Sequence, residues 1–234
     1  MKRGEKLKGS IKRVLTDLFD LIALDLLWLV CSVPVVTVGP ATSALYSVML
    51  KVARGEPAAT FSEFFKAFKK NFRQALWLGL ILLAGAAIIA GDFYYGFNAE
   101  GPQHKLFLIV SGIAAAVWLT YLSYVFALQA RFENTLRGHI KNAFLLAFVK
   151  PGRTVLMWVI CLSPVLLYLC LPYIAVAYLG WMFPLFSASV PAYFNAKILR
   201  GIFDTLQPEN VRTPEEEDEK GPDNAPEEGA QKYY

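Results

Sequence analysis

Residues 26–45 read LLWLVCSVPVVTVGPATSAL, an apolar run of membrane-helix character interrupted by Pro34, Gly39 and Pro40. Proline removes a backbone donor and clashes with the preceding turn, and glycine adds backbone freedom. The helix that begins near Leu18 is therefore expected to break at Ser32 or Val33 and to restart at Pro40, a residue suited to a first helical turn. Non-helical backbone at membrane depth survives only where protein or water satisfies its polar groups. The break is accordingly expected to be a packed site or a lined cavity, not a loop facing lipid.

The rest of the chain shares this character. In 234 residues, 56% are hydrophobic and the mean hydropathy is +0.41, too apolar for an ordinary soluble domain of this size. The net charge of +4 conceals an asymmetry: residues 207–234 hold nine Asp/Glu against three Lys/Arg, leaving ten Asp/Glu against twenty Lys/Arg before them. Two parts follow: a membrane domain over residues 1–206, and a Pro- and Glu-rich tail over 207–234 with too few apolar residues to order itself. The tail is either a solvated appendage or a dock for a basic partner.

The six basic residues among the first thirteen resemble the start of a signal peptide. The run behind them is long, contains Asp25 and lacks a convincing cleavage site, so it is expected to be a retained span. That span and the helix from Pro40 to Ala53 measure about 24 and 21 Å, short of the ~30 Å hydrocarbon core. They form either a short spanning hairpin or a re-entrant one. Thr60 and Glu63 have the spacing of a capping box, and Phe61, Phe64, Phe65, Phe68 and Phe72 repeat at helical spacing. An amphipathic helix lying in the membrane interface is expected there, leading into a span over residues 74–95.

A further span follows over 106–130, where Ala87 with Gly91 and Gly112 with Ala116 either permit close helix packing or are ordinary membrane-helix residues. Leu136, Ile140, Phe144 and Phe148 mark a second amphipathic helix. Spans over 154–178, with Pro164 and Pro172 as kinks, and over 182–199 complete the set. FKKNFRQALW (68–77) and FVKPGRTVLMW (148–158) hint at an internal repeat, a match short enough to arise by chance. The fold class is an all-α membrane protein: a six-helix transmembrane bundle with a Pro/Gly-broken first hairpin and two cytoplasmic interfacial helices. In that arrangement every Lys and Arg except Lys105 falls on one side, 22 against 1, so the positive-inside rule places both termini in the cytoplasm.

Few residues suggest chemistry. Cys31, Cys161 and Cys170 lie in apolar runs and are expected to pack as small hydrophobes. His104 and His139 fall on opposite sides of the expected topology, which argues against an intramolecular zinc site. No Walker A, G-x-G-x-x-G, G-x-S-x-G or H-E-x-x-H pattern occurs, so neither catalytic residues nor cofactors are expected. Asp25 is the unusual residue, since an acidic group at membrane depth costs roughly 2.5 to 3.5 kcal/mol. Asn195 and Lys197 lie at comparable depth and are its expected partners; Asp25 is either a packing residue held by hydrogen bonds or a solute or proton site. The break supplies a second candidate. The amides of Ala41, Thr42 and Ser43 and the hydroxyls of Thr37, Thr42 and Ser43 are expected to face it at a positive helix end, an arrangement that suits an anion as well as ordinary capping. Pro34, Gly39 and Pro40 shape that site.

The pattern Trp28, Pro34, Thr37, Gly39, Pro40, Ala41 and Ala44, followed by FSEFFKAFKKNFRQALWLG, resembles the YesL family of bacterial membrane proteins, over residues 10–205. The resemblance implies a six-helix protein of the bacterial cytoplasmic membrane, often encoded beside carbohydrate-uptake ABC systems, with no established activity. The family usually carries Asn where this chain has Asp25, which favours the hydrogen-bonding role. The expected function is a non-enzymatic accessory or scaffold subunit of carbohydrate uptake, with Phe65, Lys69 and Phe148 docking the partner. The alternative is a small-solute transporter or permease subunit with its path at the Pro34–Pro40 break. The expected partners are the lipid bilayer and ABC-transporter subunits, not nucleic acid.

Overall fold

A computed structural model describes residues 18–56, 60–98, 101, 103–170 and 186–206. All regular structure among them is helical: α1 (residues 18–32), a 3-10 turn (Val35–Thr37), α2 (Val38–Arg54), α3 (Thr60–Asn98), α4 (Gln103–Arg131), α5 (Leu136–Val149), α6 (Pro151–Cys170) and α7 (Ser189–Leu206). The chain divides into two compact units, Met1–Arg200 and Gly201–Tyr234; of the second, residues 201–206 are described and are helical. The basic first segment, Pro172, the expected turn at Gly180 and Trp181, and the acidic tail lie outside the described residues.

Four helical stretches, Val35–Arg54, Thr60–Asn98, His104–Arg131 and Pro151–Cys170, are long and apolar enough to cross a membrane. Their directions follow from cross-helix contacts. Gly39 meets Gly79 while Lys51 pairs with Glu63, so α2 and α3 are antiparallel. Trp118 meets Gly85 while Phe107 meets Gly96, so α3 and α4 are antiparallel too. Tyr124 bonds Thr154 while Ser123 lies by Cys161, which sets α6 antiparallel to α4. Asn195 reaches Tyr46 and Arg200 reaches the Ala53 carbonyl, so α7 runs parallel to α2. Leu45 and Met49 of α2, Leu78 of α3, Tyr124 of α4, Met157 of α6 and Leu199 of α7 are buried in the common core.

The first break falls after residue 32, as the prolines dictate, but α2 restarts at Val38 and takes Pro40 into its first turn. Gly39 is buried and serves packing: a Cβ there would strike the Ala75 carbonyl oxygen and stand 2.9 Å from the Cα of Gly79. Two glycines facing each other let the backbones of α2 and α3 touch. Gly91 and Gly112, in contrast, face open space. Helix α2 ends at Gly55, whose φ of +79° supplies the left-handed turn, with the Glu56 amide bonded back to the Lys51 carbonyl.

The Phe-rich stretch is not a separate interfacial helix. It continues without interruption into the apolar segment as one 39-residue helix, about 58 Å long. The capping box does not form either: the Thr60 hydroxyl donates to Asp20 at 3.0 Å, and Glu63 pairs with Lys51 at 2.8 Å. These two long-range contacts hold the start of α3 against the first hairpin, so no local cap or kink is needed. The proposed repeat diverges here, because Lys150 and Pro151 break α5 from α6 where α3 runs on. In α5 the buried positions are His139, Ala143 and Leu146, while Phe144 and Phe148 of the expected apolar stripe are exposed. Of the span expected over 182–199, residues 182–185 lie outside the described residues; residues 186–188 form a turn, and the last helix runs from Ser189 past Leu199 to Leu206.

Gly39→Ala should force α2 and α3 apart and lower stability by about 1–3 kcal/mol. Thermal unfolding in detergent checks this, with Gly91→Ala, which meets nothing, expected to leave stability unchanged or slightly raised.

Candidate functional site

The first four amides of a helix have no intrahelical acceptor, and when a helix starts inside protein they need one from elsewhere. For α7 the acceptor is Asp25 of α1, whose side chain is wholly buried. Its Oδ1 accepts from the amides of Ala188 and Ser189 at 2.9 and 3.0 Å, and its Oδ2 accepts from the Ser189 hydroxyl. A carboxylate at the positive end of a helix is favoured electrostatically as well. Asp25 thus takes its charge complement from a helix end, not from Lys197, which stands over the Tyr193 ring at 4.6 Å.

Asn195 is not a partner of Asp25 either. Its Nδ2 donates to the Tyr46 hydroxyl at 3.3 Å and to Cys161 Sγ at 3.1 Å, and the same sulfur lies 3.8 Å from the Ser123 hydroxyl. This second junction ties α2, α4, α6 and α7 together. Asn195 Oδ1 and Ser43 Oγ have no hydrogen-bond partner among the described residues. Cys161 therefore has a polar role beyond packing, Cys31 is half-buried, and Cys170 is exposed, contrary to its expected burial.

The helix break closes on itself. The Thr37 hydroxyl is placed to donate to the carbonyls of Cys31 and Pro34 at 2.6 and 2.7 Å, and the Thr37 amide bonds the Pro34 carbonyl at 2.8 Å. The Trp28 indole donates to the Thr42 hydroxyl at 3.0 Å, which in turn donates to the Val38 carbonyl. Because α2 restarts at Val38, the amides of Thr42 and Ser43 lie within its hydrogen-bonded ladder. Local bonds thus tie the turn to itself, although Ser32 Oγ beside it has no partner among the described residues, and residues 33–36 form an exposed tip, with Val33 77% exposed. Pro34 is part of that tip, whereas Gly39 and Pro40 are buried in the α2 packing.

Phe65, Lys69 and Phe148 are all exposed. His104 Nδ1 lies 2.6 Å from the Gly96 carbonyl, while His139 is buried on α5 with no partner for its Nε2 among the described residues. Among these residues no group of three or more His, Cys, Asp or Glu is placed to hold a metal. Sequence reasoning missed Ser189, Gly79 and Cys161. A signal existed for the first, since Ser189-Val190-Pro191 carries the capping residue and early proline of a helix start.

These features define a helical membrane protein in which a buried carboxylate on the first helix caps the start of the last. A family model described as "Protein of unknown function, DUF624" matches residues 21–93, which include Asp25, Gly39 and Gly79. Uncharacterized protein YesL of Bacillus subtilis (strain 168) is 32% identical over 154 residues, covering 64% of this chain and 72% of the relative. Uncharacterized protein YteU of the same organism is 28% identical over 185 residues, 76% and 78% of the two chains. The chain belongs to the YesL family, whose function is not known. No solved structure matches it.

Asp25→Leu should strand the buried Ser189 amide and the part-buried Ala188 amide and cost about 2–4 kcal/mol, whereas Asp25→Asn, which keeps an acceptor, should cost about 1 kcal/mol. Thermal unfolding of the two variants in detergent compares them. His139 gives a pH test: burial holds its ring below the usual imidazole range. The unfolded chain then takes up the proton first as pH falls through about 6.5, so this stability is present above that value and lost below it. Melting temperature should fall between about pH 7.5 and 5.5 more steeply in the natural chain than in His139→Gln.

Proposed function

We propose that the chain is a non-enzymatic scaffold of the bacterial cytoplasmic membrane, with six spans and both termini cytoplasmic, that docks a subunit of an ABC-type carbohydrate-uptake system. The carrying observation is the length and surface of α3. At about 58 Å it is nearly twice the ~30 Å hydrocarbon thickness, so roughly half of it stands clear of the acyl chains. That half exposes Phe61, Phe65 and Phe72, 59%, 42% and 37% exposed, interleaved with exposed Lys66, Lys69 and Arg73.

Contiguous exposed apolar groups outside the bilayer mark an interaction surface, and the lysines select an acidic partner. The salt bridge from Glu63 to Lys51 and the bond from Thr60 to Asp20 fix this face relative to the first hairpin. The charge bias of 22 against 1 supports the cytoplasmic placement, and the family resemblance supports the carbohydrate context. A permease path at the Pro34–Pro40 break has less support, because the Thr37 and Thr42 hydroxyls bond back to the local carbonyls and the turn ends in an exposed tip.

The tagged chain, purified from native membranes in mild detergent, should recover ABC permease or ATPase subunits in stoichiometric amount. The double variant F65A/K69E should lose at least nine-tenths of that recovery, as removal of a docking anchor does. Recovery of the chain alone contradicts the scaffold reading.

A further inference from the structure

A cavity of about 440 Å³ lies between α3, α4 and α5. Ile81, Leu82 and Gly85 of α3, Val117 and Trp118 of α4, and Ile140 of α5 are among its walls. Its size is that of a small-ligand pocket. Gly85 makes room for the indole, since a Cβ there would stand 3.1 Å from Trp118 Cδ1. The indole N–H donates to the Leu82 carbonyl at 2.8 Å, so the polar edge of Trp118 is engaged and its remaining surface is apolar. Ile81 and Val117 are 48% and 38% exposed, which opens the slot sideways between the two candidate spans.

The remaining wall comes from α5, which lies outside the apolar spans. Ile140 lines the slot, and Phe144, one turn on, stacks with Tyr121 at a centroid distance of 6.3 Å. Arg137, Lys141 and Phe144 follow one another at i, i+4 and i+7, so they share a helix face beside Ile140, and both cations are exposed. The acidic residue in the preceding loop, Glu133, is paired with Lys70 of α3 at 3.3 Å. An apolar slot open to the bilayer thus has two cations on the adjoining helix. A basic pocket between membrane helices on the positively charged side is where an anionic headgroup lipid is recognised.

We propose that this slot holds an acyl chain of an anionic glycerophospholipid, with the headgroup phosphate at Arg137 and Lys141. Helix α5 is then seated partly on lipid, which accounts for the exposure of Phe144 on a helix that buries His139, Ala143 and Leu146 on its other side.

The test is native mass spectrometry of the full chain, released from detergent containing equal phosphatidylglycerol and phosphatidylcholine of matched chains. Phosphatidylglycerol should be retained in at least tenfold preference, and R137Q/K141Q, two surface changes, should erase most of that preference, given roughly fivefold per cation. Ala114→Phe, which fills the slot, should reduce retention of both lipids. Equal retention of the two lipids by the natural chain, or an undiminished preference in R137Q/K141Q, overturns the proposal. Should Ala114→Phe not fold, quenching of tryptophan emission by chain-brominated phosphatidylglycerol in the natural chain takes its place. Quenching no greater than with the brominated phosphatidylcholine overturns the proposal equally.

Discussion

A helix that begins inside a protein carries bare amides that water cannot reach, and the start of α7 is such a place. The carboxylate of Asp25, wholly buried on α1, accepts both the Ala188 and Ser189 amides and the Ser189 hydroxyl. The arrangement resolves two costs at once, since neither an isolated carboxylate nor a row of free amides is tolerated in an apolar interior. It also joins the ends of the described bundle, 163 residues apart in sequence. The neighbouring contacts depend on that join: with α7 set at this height, Asn195 reaches Tyr46 and Cys161, and Arg200 reaches the Ala53 carbonyl.

A second constraint positions the surfaces. Gly39 and Gly79 bring α2 and α3 into backbone contact, and α3 then runs unbroken from the polar contacts of Thr60 and Glu63 through the apolar segment. Because that helix is continuous, the aromatic and basic side chains at its start share one frame with the apolar segment. Helix α5 is separated from α6 at Lys150 and Pro151, so it is free to pack across α4 and close one wall of the apolar slot. Two stretches with similar sequences, around Phe68 and around Phe148, are thereby given different geometry by a single proline.

Much of this was legible in the chain. Hydropathy marked the long apolar helices, and Pro34 located the break between α1 and α2. The position of Asp25 in an apolar run announced a buried polar contact, but its partner was not legible: Asn195 and Lys197 matched it in depth, while the true donors depended on where α7 begins. Ser189 and Pro191 carried that information as a helix-start signal inside a hydrophobic stretch that otherwise suggests a longer helix. Gly39 was ambiguous for a related reason. A glycine beside a proline indicates a turn, and only the facing Gly79, forty residues on, reveals that it is a packing contact. The capping box at Thr60 and Glu63 failed because both side chains found long-range partners, which local spacing cannot anticipate.

Asp25 and Ser189 act as one unit holding the first helix to the last. A double-mutant cycle of Asp25→Asn, Ser189→Ala and the pair, read by equilibrium unfolding in detergent, measures it directly. A coupling energy of about 1 kcal/mol or more is expected, with the second substitution costing little once the first is present. Strict additivity of the two single losses would contradict it.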